Sequence, residues 1–171
     1  MQSIAWWPTL IVLIIATVTD IRSRRIPNWL VLPFLVAGII ASGATGGLAG
    51  IGRSLAGVGL ACGVMGILCY LRAMGMGDLK LCAAVGAWIG PSQLITALVA
   101  MAIVGGILAV VYGLRYGALG SGLDGVGDLV AGFARRGLRP HPTIRLDNPA
   151  AVKIPYAMAI AVGTMFSFCT L

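Results

Sequence analysis

The chain has 171 residues, 59% of them apolar and only 10% charged, against about 25% charged in an ordinary soluble domain. Its mean hydropathy is +1.00; its net charge is +7, and its only acids are Asp20, Asp78, Asp124, Asp128 and Asp147. This composition excludes a disordered chain, a coiled coil and a secreted disulfide scaffold, and leaves too little polar sequence to cover a water-soluble fold.

The expectation is an all-α integral membrane protein, one membrane-embedded domain over residues 1–171. Unbroken apolar runs without polar alternation favour helices over barrel strands. Six runs stand out, at about 4–19, 29–41, 54–71, 79–90, 94–114 and 154–170; the second and fourth are short for ~30 Å of hydrocarbon. The first is read as a retained helix rather than a signal peptide, because Met1, Gln2 and Ser3 carry no basic charge and the Ala16-Thr17-Val18 stretch is a poor cleavage site. Residues 43–52 read as a glycine-rich outer loop. In the third run Gly59 and Gly63 have GxxxG spacing, with Gly66 nearby, which suits close approach to a neighbour. Within the 115–153 loop, residues 122–137 place Leu123, Val126, Val130 and Phe133 on one side. Asp124 and Asp128 lie near the start of that stretch and Arg135 and Arg136 near its end, a charge order suited to an amphipathic helix on the cytoplasmic membrane surface.

The basic residues orient this arrangement. With the Arg22, Arg24 and Arg25 loop in the cytoplasm, six spans put eleven of the twelve Lys and Arg on that side, and only Arg53 outside. Both termini are then outside. The charge is thus an orientation signal and implies no nucleic-acid partner. Cys62, Cys69, Cys82 and Cys169 all sit in apolar runs and form no CxxC pair, and His141 stands by itself in a loop. They read as packing residues, with no metal site.

Ionisable residues at membrane depth usually mark function. Asp20 ends the first run and Asp78 opens the fourth; the charge-derived topology sets both at the cytoplasmic boundary, though 58 positions separate them. Two carboxyls at one level are the minimum for aspartyl hydrolysis: one takes a proton from water while the other donates to the scissile carbonyl. Gly75 and Gly77, flanking Met76, let backbone approach an extended substrate with no Cβ in the way. The same residues also fit an Asp20–Arg24 ion pair with Asp78 as a helix cap, or a proton pathway. A non-enzymatic scaffold and a proton-linked transporter therefore stay open, although the spans are poor in the polar residues a transporter uses.

Asp20 with Arg25-Ile26-Pro27-Asn28, then Gly75-Met76-Gly77-Asp78-Leu79-Lys80-Leu81, then Ile154-Pro155-Tyr156, resembles the type IV prepilin peptidases, in particular the short forms of tight-adherence (Flp-type) pili. The resemblance covers about residues 12–90 and 152–165. It implies an inner-membrane GxGD aspartyl protease that cuts the short basic leader from prepilins and pseudopilins at the cytoplasmic face. Asp20 and Asp78 would be catalytic, and Gly75, Met76, Gly77 and Lys80 would form the substrate-approach loop. A second GxGD, Gly125-Val126-Gly127-Asp128, precedes an amphipathic stretch and has Val130 where Lys80 follows Asp78, so Asp78 is preferred. The family's longer bifunctional members carry paired cysteines and also N-methylate the product. Their absence here implies peptidase activity with no cofactor and no S-adenosylmethionine. Pro27 is expected to fix the first turn, Asn28 to cap the second helix, Trp29 to sit at the interface and Pro155 to open the last helix. Lys80 either points toward Asp78 or snorkels to the surface.

Overall fold

The computed structural model describes residues 2–23, 26–71, 74–115 and 156–170. Among these are four helices: α1 (Gln2–Ser23), α2 (Asn28–Tyr70), α3 (Met76–Arg115) and α4 (Tyr156–Cys169). Three are long and apolar enough to cross a membrane, namely Ala5–Ser23, Asn28–Tyr70 and Met76–Arg115, and Tyr156–Cys169 is a shorter apolar helix. The helices do not give six separate spans: the second and third apolar runs are joined within α2, and the fourth and fifth within α3. The expected amphipathic helix at 122–137, with Asp124, Asp128 and His141, lies outside the described residues.

The joins have a local cause. Residues 43–52, expected as a loop, are helical apart from Gly47, whose φ of 57° is left-handed. In α3 the break falls at Gly90, with φ 76° and ψ 176°, directly before Pro91. Glycine takes the left-handed conformation that ends a helical turn, and proline restarts a helix where its missing N–H costs little.

Both long helices double back at these breaks. Ser42 and Ser54 each donate a hydrogen bond to the Ala87 carbonyl, at 3.3 and 2.8 Å, although a straight helix would hold them about 18 Å apart. Cys82 and Met101 likewise line one small cavity with Val85, Leu94 and Ala97, where a straight α3 would separate them by about 28 Å. Ala87 attracts two hydroxyls for a reason legible in the chain. Its helical partner four residues on is Pro91, which has no N–H to give, so the carbonyl would otherwise be orphaned.

The first half of α3 is the centre of the structure, since residues 81–87 are all buried. α2 packs on α3 most extensively, then α4 does so, while α1 packs mainly on α4 and touches α2 and α3 little. The closest approach joins Gly57 to Gly86: a Cβ on either would strike the other's backbone. Gly59 and Gly63 instead face open space, so the expected GxxxG contact is not made. Trp88 lies over Gly38, donates from Nε1 to the Phe34 carbonyl at 2.8 Å and stacks on the Phe34 ring. Outward faces remain apolar. On α1 the exposed large residues are Trp7, Ile11, Ile14, Val18 and Ile21, a helical stripe suited to lipid.

Either serine alone can satisfy Ala87, so Ser42→Ala and Ser54→Ala should each destabilise only slightly. The double variant strands the carbonyl and should lose about 1–3 kcal/mol, more than the two singles together. Gly57→Ala should likewise cost about 1–3 kcal/mol through overpacking, while Gly63→Ala should be neutral. Thermal unfolding in detergent micelles reads both comparisons.

Candidate active site

Asp20 lies in the last turn of α1, and its Oδ2 accepts the Ala157 backbone N–H at 3.3 Å. Thr17, one turn earlier, donates to the Ala157 carbonyl at 3.5 Å. The end of α1 therefore grips the first turn of α4 by both polar faces of one residue. An anion is well placed there, because the N–H groups of a helix's first turn have no partner within the helix.

Asp78 lies in the first turn of α3, where the Gly75 backbone N–H reaches back to its carboxylate. This is the reciprocal bond of a capping box. The Gly75 carbonyl accepts the Leu79 N–H and the Cys69 thiol, each at 3.4 Å. Asp20 and Asp78 come near enough to repel each other electrostatically. The two expected site carboxylates are thus within electrostatic reach of each other, and each accepts a backbone N–H at a helix start.

The residues between them have defined tasks. A Cβ on Gly75 would stand 3.2 Å from Asp78 Oδ2, and one on Gly77 would stand 3.3 Å from the Ile26 Cβ. A Cβ at either position would be tight, and the neighbouring side chain would have to give by a few tenths of an ångström. Met76 is exposed. The Lys80 Nζ donates to Asn28 Oδ1 at 3.0 Å in an exposed position. Asn28 accordingly does not cap α2. The cap position is Pro27, which makes no side-chain cap bond, and the Asn28 side chain is committed to Lys80. Trp29 is exposed.

Three side chains near the pair were not singled out as site residues from the sequence. Cys69, Cys82 and Tyr156 all lie within electrostatic reach of Asp78, and Tyr156 lays its ring edge against Gly105. A signal existed for Cys82, four residues after Asp78 and so on the same helix face. Among the described residues no three His, Cys, Asp or Glu side chains gather as a metal would require. Arg24, Pro155 and Asp128 lie outside the described residues.

The profile of the type IV leader peptidase family matches residues 7–110, which include Asp20, the 26–28 segment and the Asp78 loop. No curated protein and no solved structure matches the chain.

Replacing Asp20 by Asn removes the charge and keeps an oxygen for the Ala157 N–H, whereas Leu removes both. Asp20→Leu should therefore unfold more readily than Asp20→Asn by about 0.5–2 kcal/mol. Relief of repulsion with Asp78 is common to the two and cancels in the comparison. Parallel melting curves measure the difference.

Proposed function

The chain belongs to the type IV leader peptidase family, and from that premise we propose that it is an aspartyl endopeptidase that removes the short basic leader of type IV prepilins or pseudopilins. What supports this reading is the family match over residues 7–110, together with an electrostatic interaction between Asp20 and Asp78, at helix ends 58 positions apart.

In this reading the two carboxyls share one proton, as close like charges do. The ionised member takes a proton from a water molecule while that water attacks the scissile carbonyl carbon. The protonated member donates to the carbonyl oxygen, and collapse of the tetrahedral intermediate passes a proton to the leaving nitrogen. Gly75 N–H and Ala157 N–H hold the carboxylates in place during this exchange. The proteolytic step itself needs no metal and no S-adenosylmethionine.

We place the site at the cytoplasmic face of a bacterial inner membrane, with both termini outside. α2 and α3 would each cross twice, bending at Gly47 and Gly90, so that four helices make six crossings in one membrane-embedded unit. The positive-inside distribution supports this orientation. Membership of a peptidase family favours proteolysis over the scaffold and the proton-linked transporter. Leader and inner face are both basic, so the substrate's apolar helix, packing laterally in the same bilayer, supplies most of the affinity.

Co-expression with a prepilin tests the assignment. Asp20→Asn and Asp78→Asn should each reduce leader cleavage by about 10²–10⁴-fold at unchanged protein level, while Asp128→Asn cleaves normally. Normal cleavage by either of the first two variants would overturn the dyad.

A further inference from the structure

The helices that carry the two carboxylates scarcely touch each other, since α1 leans chiefly on α4 while α3 is surrounded by α2 and α4. Much of their relative placement therefore runs through neighbouring elements. One is α4, whose Ala157 N–H holds Asp20. The other is the segment 26–28, which follows Asp20 and runs across the first turn of α3. Ile26 packs on Gly77, so closely that a Cβ there would meet the Ile26 Cβ at 3.3 Å. Two residues on, Asn28 Oδ1 receives the Lys80 Nζ at 3.0 Å. These contacts bracket Asp78 in sequence, one residue before it and two after.

We propose that the Asn28–Lys80 hydrogen bond is a positioning latch that fixes the distance between Asp20 and Asp78. The proposal rests on the reading of those aspartates as the catalytic pair. Only seven residues lie between Asp20 and Asn28, so anchoring Asn28 to the helix of Asp78 limits how far the end of α1 can drift. The bond is charge-assisted, with an ammonium donating to an amide oxygen, and is stronger than a neutral pair of the same geometry. It also gives Lys80 a role other than direct tuning of Asp78. Neither Asn28 nor Lys80 is a catalytic residue in this account; both act through the spacing of the carboxylates. A dyad needs that spacing within a fraction of an ångström, because misplacement of reacting groups by about 1 Å costs up to 10²-fold in rate.

The experiment uses the full-length protein in liposomes with a prepilin substrate, comparing Asn28→Ala, Lys80→Met, their double variant and Asn28→Asp. Each single loss should lower kcat about tenfold with KM little changed. The double variant should be no slower than the slower single, because both break the same bond. Asn28→Asp keeps an acceptor for Lys80 and should retain wild-type kcat. The latch is overturned if the single losses multiply in the double variant, or if they fall on KM alone. It is also overturned if Lys80→Met shifts the pH profile while Asn28→Ala does not, since that result puts the lysine charge directly on Asp78. Should Lys80→Met fail to accumulate, the two Asn28 variants decide: Ala slow and Asp fast supports the latch, and equal rates refute it. Asp20→Asn and Asp78→Asn run alongside: active variants would sink the dyad itself, and inactive ones with additive latch variants would sink the latch alone.

Discussion

The peptide carbonyl of Ala87, left without a helical partner by Pro91, is the point on which the bundle turns. In hydrocarbon an unpaired backbone group costs several kcal/mol, and water is not there to meet it. Ser42 and Ser54, from opposite sides of the Gly47 bend, both supply it. That need draws the two halves of α2 together against the end of the buried half of α3. Apolar attraction could not do this, because lipid tails are as apolar as leucine. Small residues then let the backbones close, Gly57 on Gly86 and Gly163 on the Ala97 and Met101 backbone. The buried half of α3, fixed at its Gly86–Ala87 end by these contacts, presents its opposite end, and with it Asp78, at a defined place.

Much of this was written locally in the chain. Apolar run length located the helices, and Gly90-Pro91 marked where the fourth run gives way to the fifth. Two aspartates at the ends of apolar runs stood out because so few charges compete with them. What the sequence concealed depends on which side of a helix a residue faces once its neighbours are in place. Gly59 and Gly63 have the spacing of a contact motif, yet Gly57 makes the contact, because the face is chosen by where Ser54 must point. The glycines of residues 43–52 look like a loop. All but Gly47 stay helical, since continuing the helix keeps their peptide groups paired.

The site was legible to the same limit. Asp20 and Asp78 could be chosen as chemistry, but the donors that hold them are backbone N–H groups, and a backbone group leaves no trace in residue type. Asn28 before an apolar run reads as a cap, and a local rule prefers that reading. The tertiary fold offers it a lysine 52 positions away, and that partner wins. Cys69 and Cys82 looked like small packing residues. Cys82 follows Asp78 by four residues on one helix, whereas the position of Cys69 near Asp78 follows from the return of α2 beside the start of α3, which no window of local sequence records.

Asp20 takes its backbone donor from a residue 137 positions later in the chain. Ribosomes add about 5–20 residues per second, so roughly 7–27 s pass between the synthesis of the carboxylate and that of the amide that steadies it. Through that interval α2 and α3 are made. The centre is therefore among the last parts of the molecule to be completed. The Asp20 carboxylate is thus made long before the amide that it will accept a hydrogen bond from.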